Sequence, residues 1–496
     1  MKIRHLLLSL LFLALLSVPA FPQDALTGER VKAVAAEASV GRAHVGVRIE
    51  KADGTVIADV DGEKLFVPAS NAKLITTGTA LAALGGGFRF ETALAYSGTV
   101  ADGVLTGDLY IVGGGDPTLF SGDSIARSRE SVFALWGKML SDAGIRSVKG
   151  RIVGDGRHFD GQPEEPSWLY EDIGTYYGTG GDALCWNRNI VDFSVRPGAE
   201  PGAPLKILRR SPETPWMTYV YDCDTGAPGT GDRLYLYTSE YSGTAVLRGT
   251  LGSDVKSKNV LCSNKFGSYT CAWMFREYLN GAGVPVSGDA ACTDRRGMLR
   301  TVPWQSGGEK AAAVSGFKVI GTMDSPELRR IIGITNRRSD NFYAEALFRE
   351  MGKMLKGSAA YSTSAEAELS ALKNMGLKTS GAFSPVDGSG LSRKNLVSPA
   401  FMCGFLRTVL HSVGGGDFLA SLPHPPAAYL KAVPASRIYY KSGSMDGVRC
   451  WSGFIVPEDG GEAGTLVFSI MVNNYSGSSR EVMSAIGRML DMAAAE

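Results

Sequence analysis

Histidine is scarce in this sequence, five in 496 residues. His44, His158, His411 and His424, the ones beyond residue 21, stand in no setting that suggests the base of a Ser-His-Asp triad. HExxH, GxSxG and GxxxxGK[ST] are all missing, which removes zinc-peptidase, nucleophile-elbow and phosphate-loop chemistry from the reading. The seven cysteines, Cys185, Cys223, Cys262, Cys271, Cys292, Cys403 and Cys450, include no CxxC pair and so offer no metal site. Net charge is nearly absent too, at +1, so there is no electrostatic footprint for nucleic acid or an anionic membrane. Beyond residue 21 no apolar run reaches the ~20 residues needed to span a bilayer.

What is present begins with Lys2 and Arg4, an apolar run over 6–16 and Val18-Pro19-Ala20. This is the layout of a secretory signal peptide over 1–20, with cleavage after Ala20 and a mature protein in the periplasm or cell envelope, soluble or peripherally attached. In that oxidising setting Cys262 could pair with Cys271 or Cys292, and an odd count leaves at least one thiol free. Glycine is abundant, at 62 residues, which favours turns and strands over a helical bundle. Residues 43–60 read as a hairpin around Asp53-Gly54. A helix is predicted from Ser70 to Gly85, and successive strands over 437–474 precede a helical tail from Ser479. Strands from both termini could share one sheet. The stretch 96–304 has the texture of inserted, mainly β material, and helix returns near residue 325. The expected organisation is a discontinuous domain of 21–95 and 305–496 around two inserted domains over 96–304.

Without a histidine, a serine can be activated by a lysine one helical turn away. Ser70-Asn71-Ala72-Lys73 has this spacing, as do tetrapeptides at Ser253, Ser315 and Ser370. Ser70 differs in opening an apolar helix, where backbone N–H groups stabilise developing negative charge. Two further elements follow in order, Ser339-Asp340-Asn341 and Lys441-Ser442-Gly443. Together the three match the SxxK, SDN and KTG signature of active-site serine acyl-transfer enzymes, with Ser for Thr in the last. A lysine serves as base only when neutral, so burial and a neighbouring cation such as Lys441 would have to lower the pKa of Lys73 from ~10.4. Ser339 could then relay a proton to the leaving amine, and Asn341 could hold a substrate amide. Lys441, Ser442 and Ser444 offer a charge and two hydroxyls to a carboxylate. The N–H groups of Ser70 and Ser444 would form the oxyanion hole.

With these motifs the chain resembles the low-molecular-mass class C penicillin-binding proteins, the D-alanyl-D-alanine carboxypeptidase/endopeptidase family. The resemblance extends to Gly113-Gly114-Gly115-Asp116-Pro117-Thr118-Leu119, Asp387-Gly388-Ser389-Gly390-Leu391-Ser392-Arg393 and Gly443-Ser444-Met445-Asp446-Gly447-Val448-Arg449. It implies an α/β serine transpeptidase/β-lactamase-like domain split by inserted domains, and an acyl-enzyme on Ser70 formed from peptidoglycan peptides. It also implies covalent inhibition by β-lactams and no cofactor or metal. Asp446 and Cys450 depart from the family's usual Asn and Ala. A secreted β-lactamase and a non-catalytic wall-binding protein are the competing readings. The glycine-rich runs at 113–116 and 387–393 read as a tight turn and a cleft-bordering loop.

Overall fold

The computed structural model describes residues 23–37, 40–461 and 464–495. The expected signal segment 1–20 lies outside the described residues. The hairpin expected at Asp53-Gly54 is formed by β1 (His44–Lys51) and β2 (Val56–Val60). Gly54 takes a φ of +93° at the turn, and the Asp53 carboxylate accepts from the Thr55 N–H at 2.8 Å, an Asx-type closure. β3 (Ile438–Met445), β4 (Val448–Ile455) and β5 (Leu466–Asn473) complete a five-stranded antiparallel sheet in the order β2-β1-β5-β4-β3. Both ends of the chain therefore share it: β1 pairs with β5 over its whole length, Val47 opposite Ile470.

Side-chain alternation along β5 explains how this sheet is clad. Phe468, Ile470 and Val472 face the helices Gln23–Ala35 and Ser479–Ala493, meeting Val31, Ile486 and Met489. Val467 and Met471 face the other way, into a core with Leu74, Ile75, Phe401 and Phe405. The Ala72–Leu84 helix is buried on every side up to Leu81, so it packs as an interior helix rather than an amphipathic one. Helices Leu328–Arg338, Asn341–Lys356 and Pro399–Leu410 close this second layer.

Strands Glu91–Tyr96 and Lys318–Asp324 pair antiparallel and belong to a separate seven-stranded sheet. Between 96 and 304 the expected strands alternate with two helices, Arg129–Asp142 and Gly267–Gly281. Trp136, Phe133 and Phe275 pack these helices onto one face of that sheet. Nested within this segment, two three-stranded sheets enclose a core of Val191, Phe193 and Leu247. The cysteine expectation needs correction: all seven thiols are unpaired and buried. Cys262 packs in the nested β core, whereas Cys271 and Cys292 pack in the core beneath the two helices.

Side-chain hydrogen bonds pin the segment ahead of the buried helix to the sheet. The Asn473 amide accepts from the Val67 N–H at 2.7 Å and donates to the Val67 carbonyl at 3.1 Å. Asn71 donates to the Ser452 hydroxyl at 2.7 Å, which in turn meets Ser469 at 2.9 Å. Replacing Asn473→Ala removes the partner of the Val67 N–H and leaves the Val67 carbonyl only the Cys450 thiol at 3.5 Å. It is expected to cost about 1–3 kcal/mol, read as a lowered urea midpoint with an unchanged m value; an unaltered midpoint would show that water replaces the amide.

Candidate active site

Ser70 sits in the 3₁₀ turn Ala69–Asn71, immediately ahead of the Ala72–Leu84 helix. Its neighbour Ala69 has a φ of +46°, a left-handed conformation that a non-glycine residue keeps only where its surroundings hold it. One turn further, Lys73 is wholly buried. Its Nζ donates to Ser70 Oγ at 3.0 Å, to Asn341 Oδ1 at 2.6 Å and to the Ser389 carbonyl at 2.7 Å. All three ammonium protons are thereby used. Burial pushes Lys73 down to about 8, while the charges of Glu345, Asp387 and Asp340 oppose that fall.

Ser339 ends the Leu328–Arg338 helix in a left-handed conformation, φ +56°. Asp340 then caps the next helix, Asn341–Lys356, by accepting from the Tyr343 N–H. The Ser-Asp-Asn element is thus a sharp corner between two helices that turns Ser339 and Asn341 toward the cleft. Lys441, on β3, is buried and donates to Ser339 Oγ at 2.8 Å and to the Ser442 carbonyl at 2.7 Å. Burial first, and the nearby Lys73 charge second, push the Lys441 ammonium well down. The expected repulsion between the lysines therefore falls on Lys441, and it is burial that lowers Lys73. Asn341 has both ends of its amide engaged, accepting from Lys73 and donating to the Tyr177 carbonyl at 2.9 Å.

These elements meet because two glycines let backbones touch. β3 is the edge strand of its sheet, and at Gly443 a Cβ would stand 2.4 Å from the Pro68 carbonyl oxygen. At Gly390, φ +77°, a Cβ would stand 1.9 Å from the Ala69 carbonyl oxygen. The resulting cleft of about 750 Å³ is lined by Ser70, Ser339, Asn341, Ser442 and Ser444, with Lys73 and Lys441 buried behind them. All seven residues singled out in the sequence converge here.

Of the other lining residues, Asp172, Tyr176, Tyr177 and Arg188 belong to no stretch singled out in the sequence, while Arg393 and Asp446 come from the 387–393 and 443–449 runs. Arg188 pairs with Asp340 at 2.9 Å. The 387–393 loop does more than border the cleft, since its Ser389 carbonyl accepts from Lys73. Glu345 shapes that loop by accepting from the Gly388 and Ser389 N–H groups at 3.1 and 2.8 Å. Asp387 accepts from Gly390, Ser392, Trp168 and Asn395. The 113–116 run lies away from the cleft, its Gly113 packed against the Ala183 carbonyl. Among the described residues no group of three or more His, Cys, Asp or Glu side chains is arranged to hold a metal ion.

A profile of the D-Ala-D-Ala carboxypeptidase 3 (S13) family matches residues 27–495. The chain belongs to this family. As an S13 peptidase it is 28% identical over 450 residues to a D-alanyl-D-alanine carboxypeptidase of Actinomadura sp., covering 87% of this chain and 78% of that one. It is 24% identical over 436 residues to D-alanyl-D-alanine carboxypeptidase DacB of Haemophilus influenzae, covering 85% and 83%. The crystal structure of penicillin binding protein 4 (dacB) from H. influenzae shares the fold of this S13 enzyme, with a TM-score of 0.76, 21% identity and coverage of 94% and 99%.

Gly390 and Gly381 both have positive φ, but a Cβ at Gly381 would meet nothing. Gly390→Ala is therefore expected to lower stability by about 1–3 kcal/mol more than Gly381→Ala, the excess reporting overpacking against the serine turn. Equal denaturant midpoints for the two variants would show that the turn yields freely.

Proposed function

We propose that this S13 peptidase is exported to the cell envelope and cleaves the D-alanyl-D-alanine end of peptidoglycan stem peptides, the D-alanyl crosslink, or both, through an acyl-enzyme on Ser70. In this reading 21–95 and 305–496 supply the catalytic domain and 96–304 the inserted domains, whose seven-stranded sheet also takes strands Glu91–Tyr96 and Lys318–Asp324. The observation that carries it is a serine hydroxyl 3.0 Å from a buried lysine ammonium, with no histidine among the described residues that line the cleft. No helix among the described residues is long and apolar enough to cross a membrane.

The chemistry follows from the two lysines. Ser70 Oγ attacks the carbonyl carbon of the penultimate D-Ala while neutral Lys73 takes its proton. The N–H groups of Ser70 and Ser444 hold the oxyanion. As the intermediate collapses, the C–N bond breaks, and the Ser339 hydroxyl gives its proton to the departing amine and takes one from the Lys441 ammonium. Water then attacks the ester carbonyl, its proton passing through Ser339 to neutral Lys441, and Ser70 Oγ leaves with the proton held on Lys73. The substrate carboxylate, bound by Ser442 and Ser444, favours a charged Lys441. That charge in turn repels the proton on Lys73, so substrate binding frees the base. Asn341 clamps Lys73 and exchanges its bond to the Tyr177 carbonyl for a substrate amide.

Intact mass measured after incubation with penicillin should show one long-lived adduct on Ser70, absent from Ser70→Ala. Rapid penicillin hydrolysis with only a transient adduct would instead mark a β-lactamase. Because neutral Lys73 is the base and its value in the free enzyme is about 8, the second-order acylation rate should rise roughly ten-fold per pH unit up to about pH 8 and then level off. A rate independent of pH over that range would remove Lys73 from the role of base.

A further inference from the structure

Among the described residues the exposed aromatic side chains come from one region of the chain, and two of them, Tyr170 and Tyr235, share one face with Tyr237. They are Tyr170, Tyr176, Tyr221, Tyr235 and Tyr241, all tyrosine. Tyr170 is 67% exposed, and its ring lies 5.4 Å from that of Tyr237 with the planes inclined by only 31°. Tyr235 and Tyr237 alternate with the buried Leu236, so both project from the outer face of the three-stranded sheet. Pairing sets Tyr235 opposite Arg248 and Tyr237 opposite Val246, with Val220 opposite Val246 on the far side. Arg248 lies 5.8 Å from the centre of the Tyr237 ring and is neutralised by Asp222 at 2.8 Å.

This face is continuous with the catalytic cleft. Leu169, Tyr176 and Tyr177 line the cleft, and Tyr170 sits beside Leu169 in the chain. At Gly174 the cleft wall presses so closely on strand Tyr235–Tyr237 that a Cβ would stand 1.5 Å from the Leu236 carbonyl oxygen. Wall and tyrosine face are one packed unit.

We propose that the face formed by Tyr170, Tyr235 and Tyr237 binds the glycan strand of the polymer whose stem peptide enters the cleft. This rests on the peptidoglycan reading above: such a peptide is covalently attached to a chain of sugar rings, which must leave the cleft across a neighbouring surface. Sugar rings expose C–H faces that pack on phenol rings, while their hydroxyls bond to phenolic O–H groups. A nucleic-acid or anionic-lipid surface would instead carry unpaired basic residues, and here the basic residue on the sheet face is paired.

The test uses the full protein, its Tyr170→Ala/Tyr237→Ala variant and a Tyr235→Ala variant, none of which alters a cleft-lining residue. Co-sedimentation is measured with insoluble peptidoglycan and with glycan strands stripped of peptide, and turnover is measured on a soluble D-Ala-D-Ala peptide. Expected are retention of the wild type on stripped glycan, binding by the double variant weaker by about ten-fold or more, and weaker binding by Tyr235→Ala. Soluble-peptide turnover should stay within about two-fold throughout. Failure of the wild type to bind stripped glycan, or equal binding by the double variant, overturns the proposal and leaves the face to a protein partner. Absence of soluble-peptide cleavage by the wild type would count against the peptidase reading alone, because glycan retention is read separately.

Discussion

Two lysine ammonium groups buried side by side are the constraint around which this molecule is built. A buried charge without partners costs several kcal/mol, and each proton of Lys73 meets that cost with an oxygen from a different element: the serine turn, the corner at 339–341 and the 387–393 loop. Lys441 has a hydroxyl and a carbonyl to answer it, and burial together with the Lys73 charge, with no carboxylate charge to oppose them, depresses it the more strongly. Displacing any one of these elements would strand a proton in the interior. The tight backbone approaches at Gly443 and Gly390 then follow as geometric consequences, since larger residues would hold the acceptors out of reach.

The stretch 96–304 takes part in the same arrangement. It supplies the Tyr177 carbonyl that orients Asn341 and the Arg188 guanidinium that holds Asp340. Its own position is fixed by Arg349, fully buried in the Asn341–Lys356 helix. The Arg349 guanidinium donates to the carbonyls of Gly161, Gly181 and Ala359 and lies against the rings of Phe159 and Tyr361, with centroids at 4.7 and 5.6 Å. A cation with this many partners is a rivet between two parts of the chain that are far apart in sequence.

How much of this could be read in the sequence depended on whether the signal was carried by side chains. The terminal hairpins and the helix after Ser70 were legible because alternation, Asp-Gly turns and apolar spacing are local. Ser70, Lys73, Ser339 and Lys441 were legible because few residue types can do their chemistry. The Ser389 carbonyl was not, since every residue carries one, and Glu345 looks like any charge on a helix. The cysteine pairing suggested by proximity in sequence failed for a related reason. Spacing along the chain does not tell which core a side chain enters, and the helix between Cys262 and Cys292 separates the nested β core from its neighbour.

Those cysteines give the molecule an unplanned property. Cys403 and Cys450 lie in the core beside the Ala72–Leu84 helix, Cys185, Cys271 and Cys292 under the Arg129–Asp142 and Gly267–Gly281 helices, and Cys223 and Cys262 in the nested β unit. Burial raises every one of these thiols above its ordinary value, which keeps them protonated and inert. With no bond between them, the architecture is the same in reducing and oxidising surroundings. Each thiol becomes reactive only when its own core opens, so the chain carries a built-in alkylation map that distinguishes the loosening of one core from that of another.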